Sequence, residues 1–89
     1  MTNFRKTRLI AARTIEGQAY IINTRTSMLH ELDSTGTFLW EKIKSKHDEV
    51  TLTTLLMDEY DVESQTARID VCDFLKTLQS LGLIEQCDE

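Results

Sequence analysis

Tyr20-Ile21-Ile22-Asn23, Thr24-Arg25-Thr26, Ser27-Met28-Leu29-His30-Glu31-Leu32, Asp33-Ser34-Thr35-Gly36 and Phe38-Leu39-Trp40-Glu41-Lys42-Ile43 follow one another with little between them. The first group is β-branched and aromatic, as a strand prefers, and the second is a polar turn. Ser27 to Leu32 then alternates well enough for another strand, with Met28, His30 and Leu32 on one face and Leu29 and Glu31 on the other. Apolar residues fall on both faces, so alternation alone does not choose the buried side. Asp33 or Ser34 can cap a helix by offering an oxygen to the unpaired N–H groups of its first turn. Phe38, Leu39, Trp40 and Ile43 form that helix's apolar stripe, and Lys42, Lys44 and Lys46 suit the negative end of its dipole. A strand that ends a small sheet here has an open edge, which is either a liability or a place for a peptide to pair.

Upstream, Arg8–Ile15 reads as a strand that reaches Gln18–Asn23 through a hairpin turn at Glu16-Gly17, where glycine accepts positive φ. With Ser27–Leu32 this makes an antiparallel meander. Downstream, Thr51 is placed to cap a short helix carrying Leu52, Leu55, Leu56 and Tyr60. A third helix begins near Ser64 and repeats Ala67, Val71, Phe74, Leu75 and Leu78 at helical spacing. Gly82 stops it, and a left-handed Gly82 would fold Leu83 back onto Leu78. The expected fold is α+β and winged-helix-like: a three-stranded antiparallel sheet followed by three helices, in one domain over residues 1–89.

The 89 residues include no proline and three glycines, unlike a disordered chain. No apolar run approaches the roughly 20 residues of a membrane span, and no secretion signal opens the chain. The expectation is a cytoplasmic protein with no membrane partner. Charge is uneven: residues 1–46 hold eight Lys/Arg against four Asp/Glu, and residues 47–89 hold two against eleven. Such a dipole can orient a charged partner, but the overall acidity argues against nucleic acid. Cys72 falls on an apolar helix face and reads as a buried small hydrophobe, while Cys87 lies in a polar tail as a free thiol.

No reaction is legible. There is no glycine-rich phosphate loop, no GxSxG, no HExxH and no paired-cysteine metal site. Asp58, Glu59 and Asp61 lack the glycine and closing glutamate of a calcium loop and read as a solvated helix end. His30 reads as a packing or surface histidine, and Trp40 as core. The chain is therefore expected to be no enzyme and to carry no cofactor or metal.

Taken in order, Tyr20-Ile21-Ile22-Asn23, Leu29-His30-Glu31-Leu32-Asp33-Ser34-Thr35-Gly36 and Leu39-Trp40-Glu41-Lys42-Ile43 resemble the PqqD family, named for its part in pyrroloquinoline quinone biosynthesis. So do Thr51-Leu52, Leu55-Leu56, Tyr60-Asp61-Val62, Asp70-Val71, Phe74-Leu75, Leu78 and Gly82-Leu83-Ile84, so that the resemblance runs over about residues 8–85. Asp33 stands where many members carry asparagine, and the proline–glutamate pair of quinone-pathway members is missing from the turn before the third strand. The resemblance implies a peptide-recognition domain for ribosomally made, post-translationally modified peptides. In such proteins the leader of a precursor peptide adds as a strand to the sheet edge, beside the third helix. The domain then presents it to a modifying enzyme, commonly a radical S-adenosylmethionine protein.

On this chain the edge would be Ser27, Met28, Leu29, His30 and Glu31, with Arg68, Cys72, Leu75 and Gln79 as the helical wall. An exposed edge also leaves room for a homodimer. The alternative from another class, a winged-helix DNA-binding regulator, calls for a basic recognition helix. The third helix instead carries Glu63, Asp70 and Asp73 against Arg68 and Lys76.

Overall fold

A computed structural model describes residues 2–43 and 48–88. Its elements are β1 (Thr2–Lys6), β2 (Ile10–Ile15), β3 (Gln18–Asn23), β4 (Met28–Glu31), α1 (Ser34–Ile43), α2 (Glu49–Glu59), α3 (Ser64–Ser80) and β5 (Ile84–Asp88). The predicted meander is present as a sheet ordered β2-β3-β4, and three helices follow it. Glu16 and Gly17 both adopt positive φ, which gives the β2–β3 hairpin a twist that matches its strands. The third strand begins one residue later than predicted, because Ser27 is left-handed (φ 61°) and closes the turn by donating its N–H to Asn23 O at 2.7 Å. The first begins at Ile10 rather than Arg8.

The pleat settles which face is buried. Ala19, Ile21 and Asn23 of β3 point into the core, and Tyr20 and Ile22 point out. Register pairs Ile21 with His30 and Ile22 with Leu29, so Met28 and His30 share the inner face and Leu29 and Glu31 the outer one. The helices cover the inner face with Leu39, Trp40, Ile43, Leu52, Leu56, Ala67, Val71, Leu75 and Leu78. Ala67 apart, each of these large side chains contributes roughly 1.5–3 kcal/mol of transfer free energy when fully buried. Phe38 and Tyr60 meet edge-on at 5.7 Å at the rim of this core.

A second, two-stranded sheet was not expected. β1 runs antiparallel to β5, from Thr2 opposite Asp88 to Lys6 opposite Ile84. Phe4, Leu83 and Ile84 anchor it in the core, and Lys6 Nζ lies 4.1 Å from the Trp40 ring centre. Cys87 therefore belongs to a strand, half-buried, rather than to a tail, and Cys72 is half-buried rather than buried.

Helix ends follow local chemistry. Asp33 Oδ1 accepts the Gly36 N–H at 2.8 Å and caps α1. The cap of α2 is Asp48, not Thr51: Asp48 Oδ1 accepts the Thr51 N–H at 2.7 Å. Gly82, at φ 76°, ends α3 as predicted, with Gly82 N–H on Gln79 O and Leu83 N–H on Leu78 O, the two bonds of a Schellman end. Lys44, Lys46 and His47 lie outside the described residues. No described helix is long and apolar enough to cross a membrane.

Candidate functional site

Antiparallel pairing alternates between residues that bond across the ladder and residues that do not. Leu32 N–H donates to Ala19 O at 3.0 Å, which makes 32 and 19 a bonded pair. Counting back by two, His30 and Met28 bond to β3, and the N–H and C=O groups of Leu29 and Glu31 point to the open side of β4. No other described strand pairs with that side. Met28 and Leu29 are 57% and 55% exposed.

The C-terminal end of β4 is held firmly. Where the second bond between Ala19 and Leu32 would stand, the Thr37 hydroxyl is inserted. Ala19 N–H donates to Thr37 Oγ1 at 2.9 Å, and Thr37 Oγ1 donates to Leu32 O at 3.4 Å. One buried hydroxyl thus ties β3, β4 and α1 together. At the other end, Asn23 Oδ1 accepts from Arg25 N–H while its Nδ2 donates to Leu81 O, fixing the turn against the end of α3.

Beside the end of β4 lies a groove of about 480 Å³, with Glu31, Leu32 and Asp33 on one side and Asp70, Asp73, Phe74 and Thr77 of α3 on the other. Buried Leu39 and Leu78 form its floor. Gly36 lets the walls approach, since a Cβ there would lie 3.3 Å from Leu32 Cβ and 3.5 Å from Phe74 Cε1. A larger cleft of about 1020 Å³ is bordered by Arg8, Arg25, Arg5 and Lys6, and the last two are engaged by Glu85 and the Trp40 ring.

The structure separates the residues singled out from sequence. Met28, Leu29, His30 and Glu31 form β4, Ser27 stands in the turn before it, and Glu31 borders the groove. Arg68, Cys72, Leu75 and Gln79 do not line it: Leu75 is 3% exposed in the core, Cys72 is half-buried, and Arg68 and Gln79 are exposed. The core stripe of α3 is Ala67, Val71, Leu75 and Leu78, and the groove takes the flank that carries 70, 73, 74 and 77, opposite the flank of 68, 72 and 79. Helical period finds the stripe, but only tertiary packing decides which flank meets β4. Among the described residues, no group of His, Cys, Asp and Glu is arranged to hold a metal ion.

Residues 18–84 match the family model described as coenzyme PQQ synthesis protein D (PqqD). The chain belongs to the PqqD family. Two solved structures share the fold of this PqqD-family chain. One, TbiB1 in complex with the TbiA(beta) leader peptide, is 20% identical, with TM-score 0.88 over 96% of this chain and 99% of that one. The other, a lasso peptide synthetase B1 complexed with its leader peptide, is also 20% identical, with TM-score 0.84 over 92% and 96%. No curated protein matches the chain.

Proposed function

We propose that this chain is a non-catalytic, single-domain peptide adaptor. In this reading a precursor's leader segment adds as a strand to β4 and is presented to a peptide-modifying enzyme, for instance a radical S-adenosylmethionine protein, in the cytoplasm. The observation that carries the reading is the open ladder of Leu29 and Glu31 next to a groove with an apolar floor. Backbone pairing gives affinity that tolerates many sequences, and the groove supplies side-chain selection. The fold neighbours support it, because both were solved with leader peptides bound. The helical wall in this proposal is Asp70, Asp73, Phe74 and Thr77, with Leu75 holding α3 in place from the core and Arg68, Cys72 and Gln79 on the far flank.

The test uses the full chain as bait for a phage-displayed library of random peptides, followed by titration of the ¹⁵N-labelled protein with the synthetic peptide that emerges. Amide shifts or broadening should concentrate at residues 28–32 and 70–78. Shifts confined to β2 or to the basic cleft, or no peptide emerging, would refute the reading.

A further inference from the structure

We infer that the groove selects a strand carrying lysine or arginine at the inward position beside the end of β4, an inference that rests on the edge-addition reading above. A strand added to β4 continues the pleat of the sheet. Its residues across from Leu29 and Glu31 face outward with them, and the alternate residues face inward, as His30 and Leu32 do. The inward residue that passes Leu32 enters the groove. What it meets there is apolar below and anionic above: Leu32, Leu39, Leu78 and the Phe74 ring against the carboxylates of Asp33, Asp70 and Asp73.

No Lys, Arg or His lines the groove, and among the described residues no cation is paired with Glu31, Asp70 or Asp73. Asp33 uses Oδ1 to cap α1 and also borders the groove. Three carboxylates around one opening focus a negative potential that repels an acidic strand and draws a basic one. A long cationic side chain fits both layers at once, with its methylene stem on the leucines and Phe74 and its charged head at the acidic rim. An apolar side chain of the same length would fill the floor and leave the rim's charges unanswered. The specificity thus comes from side chains that the open edge itself does not contain.

The experiment measures affinity by fluorescence anisotropy with the labelled library-selected peptide, its inward Lys or Arg replaced by Glu, and the protein as wild type and as Asp70→Asn/Asp73→Asn. Both aspartates are exposed, so melting curves should coincide for the two proteins. Selected peptides should share a basic residue at one inward position. Each exposed pair is worth roughly a 1.5- to 5-fold change, so the Glu replacement should weaken binding to wild type by about tenfold or more. The same replacement should cost the double variant much less, and added salt should shrink the difference. Selected peptides that shift β4 amides but lack a basic inward residue, or that show no coupling to Asp70 and Asp73, would overturn the charge selection and leave edge addition intact. If no peptide perturbs β4, edge addition fails and the charge inference with it.

Discussion

β2 and β4 bound the same sheet, and each leaves alternate backbone groups unpaired. On β4 these belong to Leu29 and Glu31. On β2 they belong to Ile10, Ala12 and Thr14, because Thr24 N–H donates to Leu9 O and so places the bonded positions at 9, 11, 13 and 15. In hydrogen-bonding capacity β2 is at least the equal of β4. They differ in what lies beside them. Five of the six residues of β2 are exposed, and Thr14 Oγ1 donates to Glu41 of α1 at 2.8 Å. β4 instead ends at a groove walled by α3 and floored by buried leucines. In the proposed mode a sheet edge supplies generic affinity, and the neighbouring helix makes one of two such edges selective.

The largest expected effect tests this contrast directly. Leu29→Pro removes an N–H that has no partner in the β3–β4 ladder, so the sheet should survive while the incoming strand loses a donor and meets the ring. Binding of the selected peptide should fall by more than about tenfold, beyond the loss of one net hydrogen bond. Ala12→Pro makes the same change on the other edge and should leave affinity unaltered. Anisotropy titrations of the two variants, with melting curves as a check on folding, decide the matter. Loss of binding in Ala12→Pro alone would move the site to β2.

A smaller effect is expected where β4 is anchored. Thr37→Val keeps the shape of the side chain but leaves the buried Ala19 N–H without an acceptor, at a cost of about 1–3 kcal/mol. Chemical denaturation should report that loss. Hydrogen exchange should show faster opening at Ala19 and Leu32 than at the β2–β3 turn. Equal acceleration at both places would mean that Thr37 supports the sheet as a whole rather than the β4 end.

Much of this contrast is legible in the amino-acid sequence. The meander, the Asp33 cap, the α3 core stripe and the Gly82 stop all follow from period and end chemistry, since each depends on residues close together in the chain. β1 and β5 are not legible in this way: Thr2–Lys6 holds Phe4 as its one large apolar residue, and its partner strand lies at the other end of the chain. The cap of α2 departs from expectation for a local reason, because Asp48 and Thr51 are both good capping residues three apart and the acidic one takes the role. The groove flank of α3 departs for a different reason. Positions 70, 74 and 77 and positions 68, 72 and 79 flank the core stripe symmetrically, and nothing in the period prefers one side. Charge holds a usable clue. Asp70 and Asp73 on one side of α3 join Asp33 just past the end of β4, the acidic set that the proposed basic side chain would meet.

Asp33 gives the smallest effect and the finest division between platform and selection, because it serves both. Its Oδ1 caps α1, and its charge borders the groove. Asp33→Asn keeps an oxygen for the Gly36 N–H, so the melting temperature should stay nearly constant while affinity for the basic peptide falls by no more than about fivefold, the value of one exposed pair. Asp33→Ala removes both roles and should also cost about 1 kcal/mol of stability. If the two variants weaken the peptide equally while only Asp33→Ala loses stability, charge acts at the groove independently of the cap. If Asp33→Asn leaves binding unchanged and Asp33→Ala weakens it, Asp33 acts by fixing the start of α1, and selection lies with Asp70 and Asp73.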